Sequence, residues 1–336
     1  MKPIKTVIIG LGKMGKIRYD AAVRHGGYDI IAGCDVNKEN STDFNMPLYT
    51  DWRKCLETTN AEAVIVCTYN SHIAEIVCHA LNSGLHVFSE KPPGRDLNET
   101  NLIKKAYESS NRILKFAFNH RYHNSIIEAK TLIDHKLLGD LVCLRGVYGK
   151  AGTPEFNSEW RNISSISGGG ILLDQGIHML DLFIYFSGVF SQVYSSVNQL
   201  VWKEMETEDS AFAILKTDCG KIASLHSSAI QWKHKFDLDL LCTNGGISLN
   251  GLLTATRSYG EERITYYQKD LSQKTGKLGN PIEHTMCFYN DNSWDYEMAE
   301  FYDAVRNDVP IKNGTIEDAL RVMELVELVY FGQQDN

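Results

Sequence analysis

The stretch from Gly168 to Asp181, GGGILLDQGIHMLD, places an imidazole between two carboxylates after three glycines. If the chain is helical from Asp174 onward, Asp174, His178 and Asp181 stand at i, i+4 and i+7 and share one face. Histidine exchanges protons near neutral pH, and a nearby carboxylate can orient it. These residue types suit an acid–base site, in which Asp181 would brace the helix rather than react. A helix-surface pair and a zinc site are the alternatives, but no metal is predicted because motifs elsewhere account for these side chains.

The same helix is predicted to have a second face, which is apolar, because four aliphatic residues repeat with the spacing of helical turns. They are Leu173, Ile177, Leu180 and Ile184.

A glycine loop near the N-terminus, GLGKMG, directly follows the β-branched run 4–9 and opens a helical pattern. In a dinucleotide-binding loop the first glycine permits a tight turn, the second lets a pyrophosphate approach, and the third allows close helix packing. Asp35 ends the next predicted strand, where a carboxylate binds the ribose 2′-hydroxyl. Because Asp35 repels a 2′-phosphate, NAD is favoured over NADP, although Lys38 lies close by. The predicted contacts are Gly10, Leu11, Gly12, Lys13, Met14, Gly15 and Asp35.

The triplet Glu90-Lys91-Pro92 follows the predicted strand 85–89. Doubly wound proteins bind ligands at the carboxyl edge of their sheet, so Glu90 and Lys91 are candidate site residues. A solvated Glu–Lys pair before a proline turn is the alternative interpretation.

Length and composition describe the kind of protein that carries these motifs. The 336 residues indicate about two domains, and an apolar fraction of 43% is typical of a globular enzyme. A net charge of −8 without a basic stripe argues against nucleic-acid binding. No stretch approaches 18 apolar residues, and no two of the eight cysteines have C-x-x-C spacing. We therefore expect a soluble, cytoplasmic protein without a membrane partner.

The first part of the chain, 4–116, alternates short β-branched runs with helix-length segments, which predicts a parallel sheet covered on both faces. The predicted strands are 4–9, 29–34, 63–67, 85–89 and 112–116, and the predicted helices are 14–25, 51–57, 71–83 and 97–109.

After Asn119 the strands alternate with period two, which predicts a mostly antiparallel sheet. The fold class is therefore α/β, with an N-terminal Rossmann domain over 1–120 and a second α/β domain with a large open sheet over 121–336, whose last helix can pack back on the first domain. The predicted strands are 141–147, 192–201, 210–216, 221–229, 235–242, 246–250 and 263–267, the predicted helices are 125–135, 294–307 and 315–331, and Asn244-Gly-Gly246 is a predicted hairpin turn.

The order and separation of the glycine loop, Asp35, the Glu90 triplet and the Gly168–Asp181 stretch resemble the glucose-fructose oxidoreductase/inositol dehydrogenase (Gfo/Idh/MocA) family over essentially the whole chain. The resemblance implies NAD(P)-dependent oxidation of a secondary hydroxyl of a sugar, polyol or nucleotide sugar. It also implies a homodimer or homotetramer formed through the open sheet of the second domain.

The resemblance also assigns site residues. It implies that Lys91, Asp174 and His178 form the catalytic set, and that the Lys91–Pro92 peptide is cis. The cofactor side adds Thr68, Asn70, Glu90, Lys91, Asn119 and Arg121, and the substrate side comprises Lys91, Arg121, Trp160, Arg161, Asp174 and His178. The family often shows T-P-N-x-x-H where this chain has Thr68-Tyr-Asn70-Ser-His72, which leaves the role of His72 in doubt.

Hydride transfer from a carbinol requires a base at its hydroxyl. We expect His178 to be that acid/base, Asp174 to orient it or hold a substrate hydroxyl, and Lys91 to stabilise the alkoxide; Lys91 is the alternative proton acceptor. Two other functions remain open. One is glycoside cleavage through transient oxidation by NAD, and the other is a non-catalytic, nucleotide-sensing regulator, which retention of the three catalytic residues disfavours. Further candidate substrate contacts are Lys150, Lys233, His234, Lys235, Tyr148, Trp232 and Tyr259.

Overall fold

The computed structural model describes residues 2–41, 44–153, 156, 159–271 and 279–332. The chain divides into two compact units. The first contains Met1–Asn119, Ser165–Gly168 and Ser293–Met323, and the second contains His120–Ser164, Gly169–Asn292 and Glu324–Asn336. The first unit therefore includes two segments that lie beyond the boundary expected from the sequence.

Seven helices lie where the sequence predicts them, with ends that differ by no more than one residue. The helix after the glycines begins at Ile177 rather than at Asp174, and the short helix Ser164–Ser167 was not predicted. In the described residues they are α1 Lys13–His25, α2 Trp52–Thr58, α3 Asn70–Asn82, α4 Leu97–Ser110, α5 Asn124–Asp134, α6 Ser164–Ser167, α7 Ile177–Ser187, α8 Ser293–Asn307 and α9 Ile316–Phe331.

The first unit is built on a parallel sheet of six strands in the order β3-β2-β1-β4-β5-β6. All four residues of the central strand β4 are buried, because helices of crossover connections cover both faces of such a sheet. The strand β3 was not predicted, since two residues carry no periodicity. The strands are β1 Ile4–Ile9, β2 Tyr28–Cys34, β3 Leu48–Tyr49, β4 Ala63–Val66, β5 His86–Ser89 and β6 Leu114–Phe116.

The second unit contains an eight-stranded sheet in the order β14-β13-β12-β11-β7-β10-β9-β8. All its pairings are antiparallel except β7 with β10. Its strands alternate between buried and exposed residues, because α5 and α7 pack against one face and leave the other open. The strands are β7 Leu141–Gly149, β8 Gln192–Asn198, β9 Ser210–Lys216, β10 Ile222–Ser228, β11 Lys235–Cys242, β12 Gly245–Asn250, β13 Glu262–Gln268 and β14 Glu283–Phe288.

The predicted fold class is confirmed, and two local predictions about the second sheet were incomplete. The hairpin turn lies at Thr243 and Asn244, and the two following glycines begin β12. A side chain at Gly246 would strike the ring of Tyr267 on the neighbouring strand, so glycine serves packing there. The edge strand β14 was missed because its residues are exposed or half-buried and do not alternate clearly. No helix among the described residues is long and apolar enough to cross a membrane.

A buried ionic cluster ties α1 to the end of β5 and to α8 in the first unit. The Arg18 guanidinium donates from Nε to Glu90 Oε1 at 2.6 Å and lies 2.7 Å from Glu297 Oε2. The guanidinium carbon, Cζ, lies over the rings of Phe88 and Trp294, at 4.5 and 4.7 Å from their centres. Arg18 and Glu297 are fully buried. Burial raises the pKa of Glu297 to about 7, although the nearby cation Arg18 favours the charged form.

This pKa predicts how the stability of the protein changes with pH. Between the ordinary pKa of a glutamate and about 7 the folded state holds a proton at Glu297 that the unfolded state has lost, so the free energy of unfolding falls as the pH rises through this range. Glu297→Gln removes the titrating group. Its free energy of unfolding, measured by urea titration at pH 5, 6, 7 and 8, should decline less than that of the wild type, by roughly 1–3 kcal/mol over the range.

Glu75→Gln is the matched control, because Glu75 forms an ion pair with Arg53 in which both side chains are about half exposed. Its pH profile should run parallel to that of the wild type. A Glu297→Gln profile that is also parallel would show that Glu297 does not titrate in this range.

Candidate active site

The glycine loop has the shape that a dinucleotide needs. A Cβ at Gly10 would collide with the carbonyl oxygen of Cys67, and one at Gly15 with the carbonyl oxygen of Gly10. Gly12 differs, because the nearest neighbouring atom to its Cβ position is Asn40 Nδ2 at 4.0 Å. Gly12 is also the N-cap of α1 and provides no side-chain cap. The space over Gly12 and the first amides of α1 therefore fit a pyrophosphate.

Asp35 is held at the end of β2, beside the glycine loop. Its Oδ2 accepts from the Leu11 amide at 2.7 Å, and its Oδ1 accepts from the Asn37 amide at 2.8 Å. Asn40 Nδ2 donates to Oδ2 at 3.2 Å. These bonds fix the carboxylate that the fingerprint assigns to the ribose. Of the other predicted loop contacts, Lys13 is exposed and Met14 is half-buried.

The residues of the Glu90 triplet differ in their burial. Glu90 is buried on Arg18, whereas Lys91 is only half-buried and immediately follows it. The Lys91–Pro92 peptide is cis. Glu90 thus places Lys91 through the backbone, and its carboxylate already has a cationic partner.

The remaining cofactor candidates occupy varied environments. Asn70 is buried at the start of α3, and its Nδ2 donates to the carbonyl of Ser167 at 2.7 Å. Thr68 is half-buried, and Asn119 is buried at the start of a 3₁₀ turn. His72 is exposed. Their contacts with a cofactor stay predictions.

The three glycines before α7 are required by protein atoms. A Cβ at Gly168, which has a φ of +82°, would strike the backbone of Arg95. One at Gly169 would strike the hydroxyl of Tyr330, and one at Gly170 the carbonyl of Glu208. The three glycines therefore allow close packing within the protein.

The chain after the glycines is not a continuous α-helix. Leu172–Gly176 forms a π-helical turn, in which Ile177 N–H donates to Leu172 O, and α7 begins at Ile177. The predicted single apolar face is also too narrow, because every residue of α7 except Tyr185 is buried. Both carboxylates of the stretch are accommodated because each has a cationic partner.

Asp174 lies in a cationic environment in the second unit. Its Oδ2 forms an ion pair with Lys150 Nζ, and its Oδ1 lies 3.3 Å from Arg161 Nε. The Arg161 guanidinium lies over the ring of Trp160, 4.6 Å from its centre. The Asp174 side chain is 15% exposed. The structure therefore brings together four of the residues predicted from the sequence, with Asp174 at their centre.

Asp181 forms a buried, bidentate ion pair with Arg121. Arg121 Nε donates to Oδ2 at 2.9 Å, and Nη2 donates to Oδ1 at 2.6 Å. The guanidinium also lies over the ring of Tyr185, 4.9 Å from its centre. Arg121 was expected to touch cofactor and substrate, and the structure shows its guanidinium on Asp181.

His178 is buried and stacks on His120, with ring centres 3.8 Å apart and an angle of 18° between the rings. His120 Nε2 lies 2.9 Å from the hydroxyl of Tyr148. Sequence reasoning missed His120. The only signal was its position in FNHRY, between the residues Asn119 and Arg121 that the resemblance singled out.

Two tyrosines, the buried Tyr148 and the half-buried Tyr259, complete this part of the site. Burial raises the pKa of Tyr148 well above its ordinary value and also raises that of Tyr259. Both hydroxyls therefore keep their protons at neutral pH and act as hydrogen-bond donors. Within the described residues no group of three or more metal-ligating side chains is present.

Two family models match most of the chain. Residues 4–118 match a model described as an oxidoreductase family with an NAD-binding Rossmann fold, and residues 126–248 match a GFO/IDH/MocA C-terminal domain.

Relatives with assigned activities match parts of the chain. Levoglucosan dehydrogenase of Pseudarthrobacter phenanthrenivorans is 32% identical over 157 residues, which are 46% of this chain and 38% of that protein. Myo-inositol 2-dehydrogenase of Thermotoga maritima is 25% identical over 230 residues, 66% of this chain and 67% of that protein. A solved structure of levoglucosan dehydrogenase in complex with NADH and L-sorbose has a TM-score of 0.85 at 19% identity and covers 98% of this chain and 96% of the other. The two proteins therefore share a fold.

The Arg121–Asp181 pair predicts a large effect on stability. Arg121→Met leaves a buried carboxylate without its cation and should lower the free energy of unfolding by about 3–5 kcal/mol. Arg121→Met combined with Asp181→Leu should recover most of that loss. Urea unfolding measures both, and Arg53→Met, which breaks the exposed pair with Glu75, should cost at most about 1 kcal/mol. An Arg121→Met protein of unchanged stability and weakened NAD binding would assign the guanidinium to the cofactor.

Proposed function

The chain belongs to the Gfo/Idh/MocA family of NAD-binding oxidoreductases, and we propose that it transfers a hydride between NAD(H) and a secondary hydroxyl of a sugar, polyol or nucleotide sugar. The observation that carries the proposal is the buried imidazole of His178 in the unit that also holds Asp174 between two cations. That arrangement provides a proton acceptor and a carboxylate for substrate hydroxyls.

The first unit supplies the residues that would hold NAD. The space over Gly12 suits the pyrophosphate, and Asp35 suits the ribose hydroxyls while disfavouring the 2′-phosphate of NADP. Bound NAD provides the acceptor for the hydride. We assign the other predicted cofactor contacts, Thr68, Asn70 and Asn119, to the same role.

The protein's own residues would handle the proton. As the hydride leaves the carbinol carbon, the hydroxyl proton passes to a ring nitrogen of His178 and the oxygen becomes a carbonyl oxygen. Lys91 donates a hydrogen bond to the developing alkoxide, since an ammonium group stabilises negative charge in a site of low dielectric constant. In the reverse direction His178 returns the proton.

Asp174 supports a polyhydroxylated substrate. Its two oxygens each contact one cation, and a carboxylate has further lone pairs that accept from hydroxyl groups. Lys150 and Arg161 balance the negative charge of this carboxylate. The names of the relatives, levoglucosan dehydrogenase and myo-inositol 2-dehydrogenase, support this class of substrate.

We also propose that the open face of the second sheet joins copies of this chain into a dimer or tetramer. On β8, β9 and β10 it exposes large apolar side chains, which are unusual on a monomer surface. The exposed apolar residues are Tyr194, Phe212, Ile214 and Ile222.

All eight cysteines are free of disulfide bonds, which supports a reducing, cytoplasmic location.

The sheet face gives a direct test of assembly. Ile214→Glu places a charge among these apolar residues, so light scattering coupled to size-exclusion chromatography should show a smaller particle than the wild type. Thr285→Glu, at the polar end of the same face on β14, should leave the mass unchanged. A wild-type protein that is monomeric at all concentrations would contradict this assignment.

The catalytic assignment predicts separate effects on turnover and cofactor binding. His178→Ala should lower kcat by about 10²–10⁴-fold because the general base is lost, while the Kd for NAD, measured by calorimetry, stays the same. Turnover is followed as NADH absorbance with a panel of sugars, polyols and nucleotide sugars. His135→Ala, at the exposed C-cap of α5, is the matched control and should behave as wild type.

Other outcomes would identify the alternatives. Release of a sugar from glycosides without net NADH would indicate cleavage through transient oxidation. NAD binding with no turnover on the panel, together with a stoichiometric protein partner, would indicate a regulator. If Lys91→Met abolishes turnover and His178→Ala does not, Lys91 is the proton acceptor.

A further inference from the structure

A chain of polar and ring contacts ends on His120. The Tyr259 hydroxyl donates to Gln175 Oε1 over a long 3.5 Å. The rings of Tyr259 and Tyr148 pack against each other, with centres 5.4 Å apart. The Tyr148 hydroxyl in turn lies 2.9 Å from His120 Nε2, within hydrogen-bond distance. The hydroxyl therefore restrains the rotation of the His120 ring.

His120 is also restrained by packing. The edge of His123 meets it at 5.6 Å and 68°, and His123 is itself held by Glu262 Oε2 at 2.8 Å. Tyr148, its hydrogen-bond partner, is buried and packs edge-on against Phe236 at 5.4 Å. The ring of His120 is therefore fixed in plane and in rotation by neighbours that are themselves buried.

The fixed ring lies parallel to His178. Their centres are 3.8 Å apart, so the His120 ring forms a flat wall against one face of the His178 ring. A general base works only if its nitrogen points at the substrate hydroxyl within about 10–20°. A carboxylate that bonds to the second nitrogen commonly provides this restraint, and a stacked ring provides it through the plane of the imidazole.

We propose that His120, held by Tyr148 and Tyr259, is a positioning residue that sets the orientation of His178. The inference rests on the proposed role of His178 as the acid/base. His120 does not exchange a proton with the substrate in this assignment. It acts only through the plane of its ring and the hydrogen bond that holds that plane.

Two substitutions distinguish the effect of a flat ring at position 120 from the effect of the imidazole itself. His120→Ala removes the wall and should lower kcat by about 10–100-fold, the order expected for a misplaced catalytic group, with the Kd for NAD and the KM for NAD unchanged. His120→Phe keeps a flat ring and should recover kcat to within about threefold of the wild type. Tyr148→Phe keeps the packing against Phe236 and removes the hydroxyl that bonds to His120 Nε2, so its kcat should fall between those of the two His120 variants.

His284→Ala is the matched control, because His284 also stacks on an aromatic ring, that of Tyr266, but on the exposed edge strand β14. It should leave kcat unchanged. Urea unfolding of each variant, and NAD affinity by calorimetry, show that the proteins compared are folded.

The outcomes distinguish this inference from the proposed function. If His178→Ala keeps full turnover, the proposed acid/base is wrong. If His178→Ala is inactive and His120→Ala is fully active, the base stands and the positioning role of His120 is overturned. A folded His120→Phe protein as slow as His120→Ala would also overturn it, because the imidazole itself would then be required.

Discussion

A charged group that leaves water destabilises the fold unless an opposite charge comes with it, and this constraint organises the interior of both units. In the second unit α7 is buried on nearly all sides, and Asp181 is tolerated at its centre because Arg121 meets both carboxylate oxygens. In the first unit Arg18 is fully buried between two aromatic rings and shared by two glutamates. Each pair joins segments distant in the chain, so neutralising the charge also fixes elements that carry site residues.

The ion pairs distinguish carboxylates that stabilise the fold from neighbouring groups to which the proposed reaction assigns a chemical role. Glu90 and Asp181 both belong to motifs that suggest chemistry, and both have a buried arginine as partner. Lys91 and His178, which stand one and three residues from them, hold the positions that the proposed reaction uses. A buried ion pair beside a reactive group keeps the backbone in place with little net charge.

The sequence was informative wherever local pattern decides structure. The β-branched runs and the glycine loop predicted the parallel sheet, and the period-two runs predicted the antiparallel one, because these patterns depend on which faces of a strand are buried. The glycine loop and Asp35 were predictable because close approach and a fixed carboxylate are local requirements. His120 was not, since its partners Tyr148 and His178 are 28 and 58 residues away in the sequence. The Arg18 cluster is also formed by residues that only the tertiary fold brings together.

A π-helical turn interrupts the helix that was expected to carry the row of ionisable groups. In an α-helix a step of one residue turns the chain by about 100°, so a turn with an extra residue changes the register between the groups on either side of it. The turn over Leu172–Gly176 lies between the glycines and α7. Asp174, inside the turn, is directed at Lys150 and Arg161, while His178 and Asp181, beyond it, are directed at His120 and Arg121. π-turns are rare and often lie at functional sites, and here the turn gives the carboxylate and the imidazole separate partners. The spacing that first suggested one catalytic face therefore holds two groups with different partners, to which the proposed function assigns hydroxyl recognition by Asp174 and proton transfer by His178.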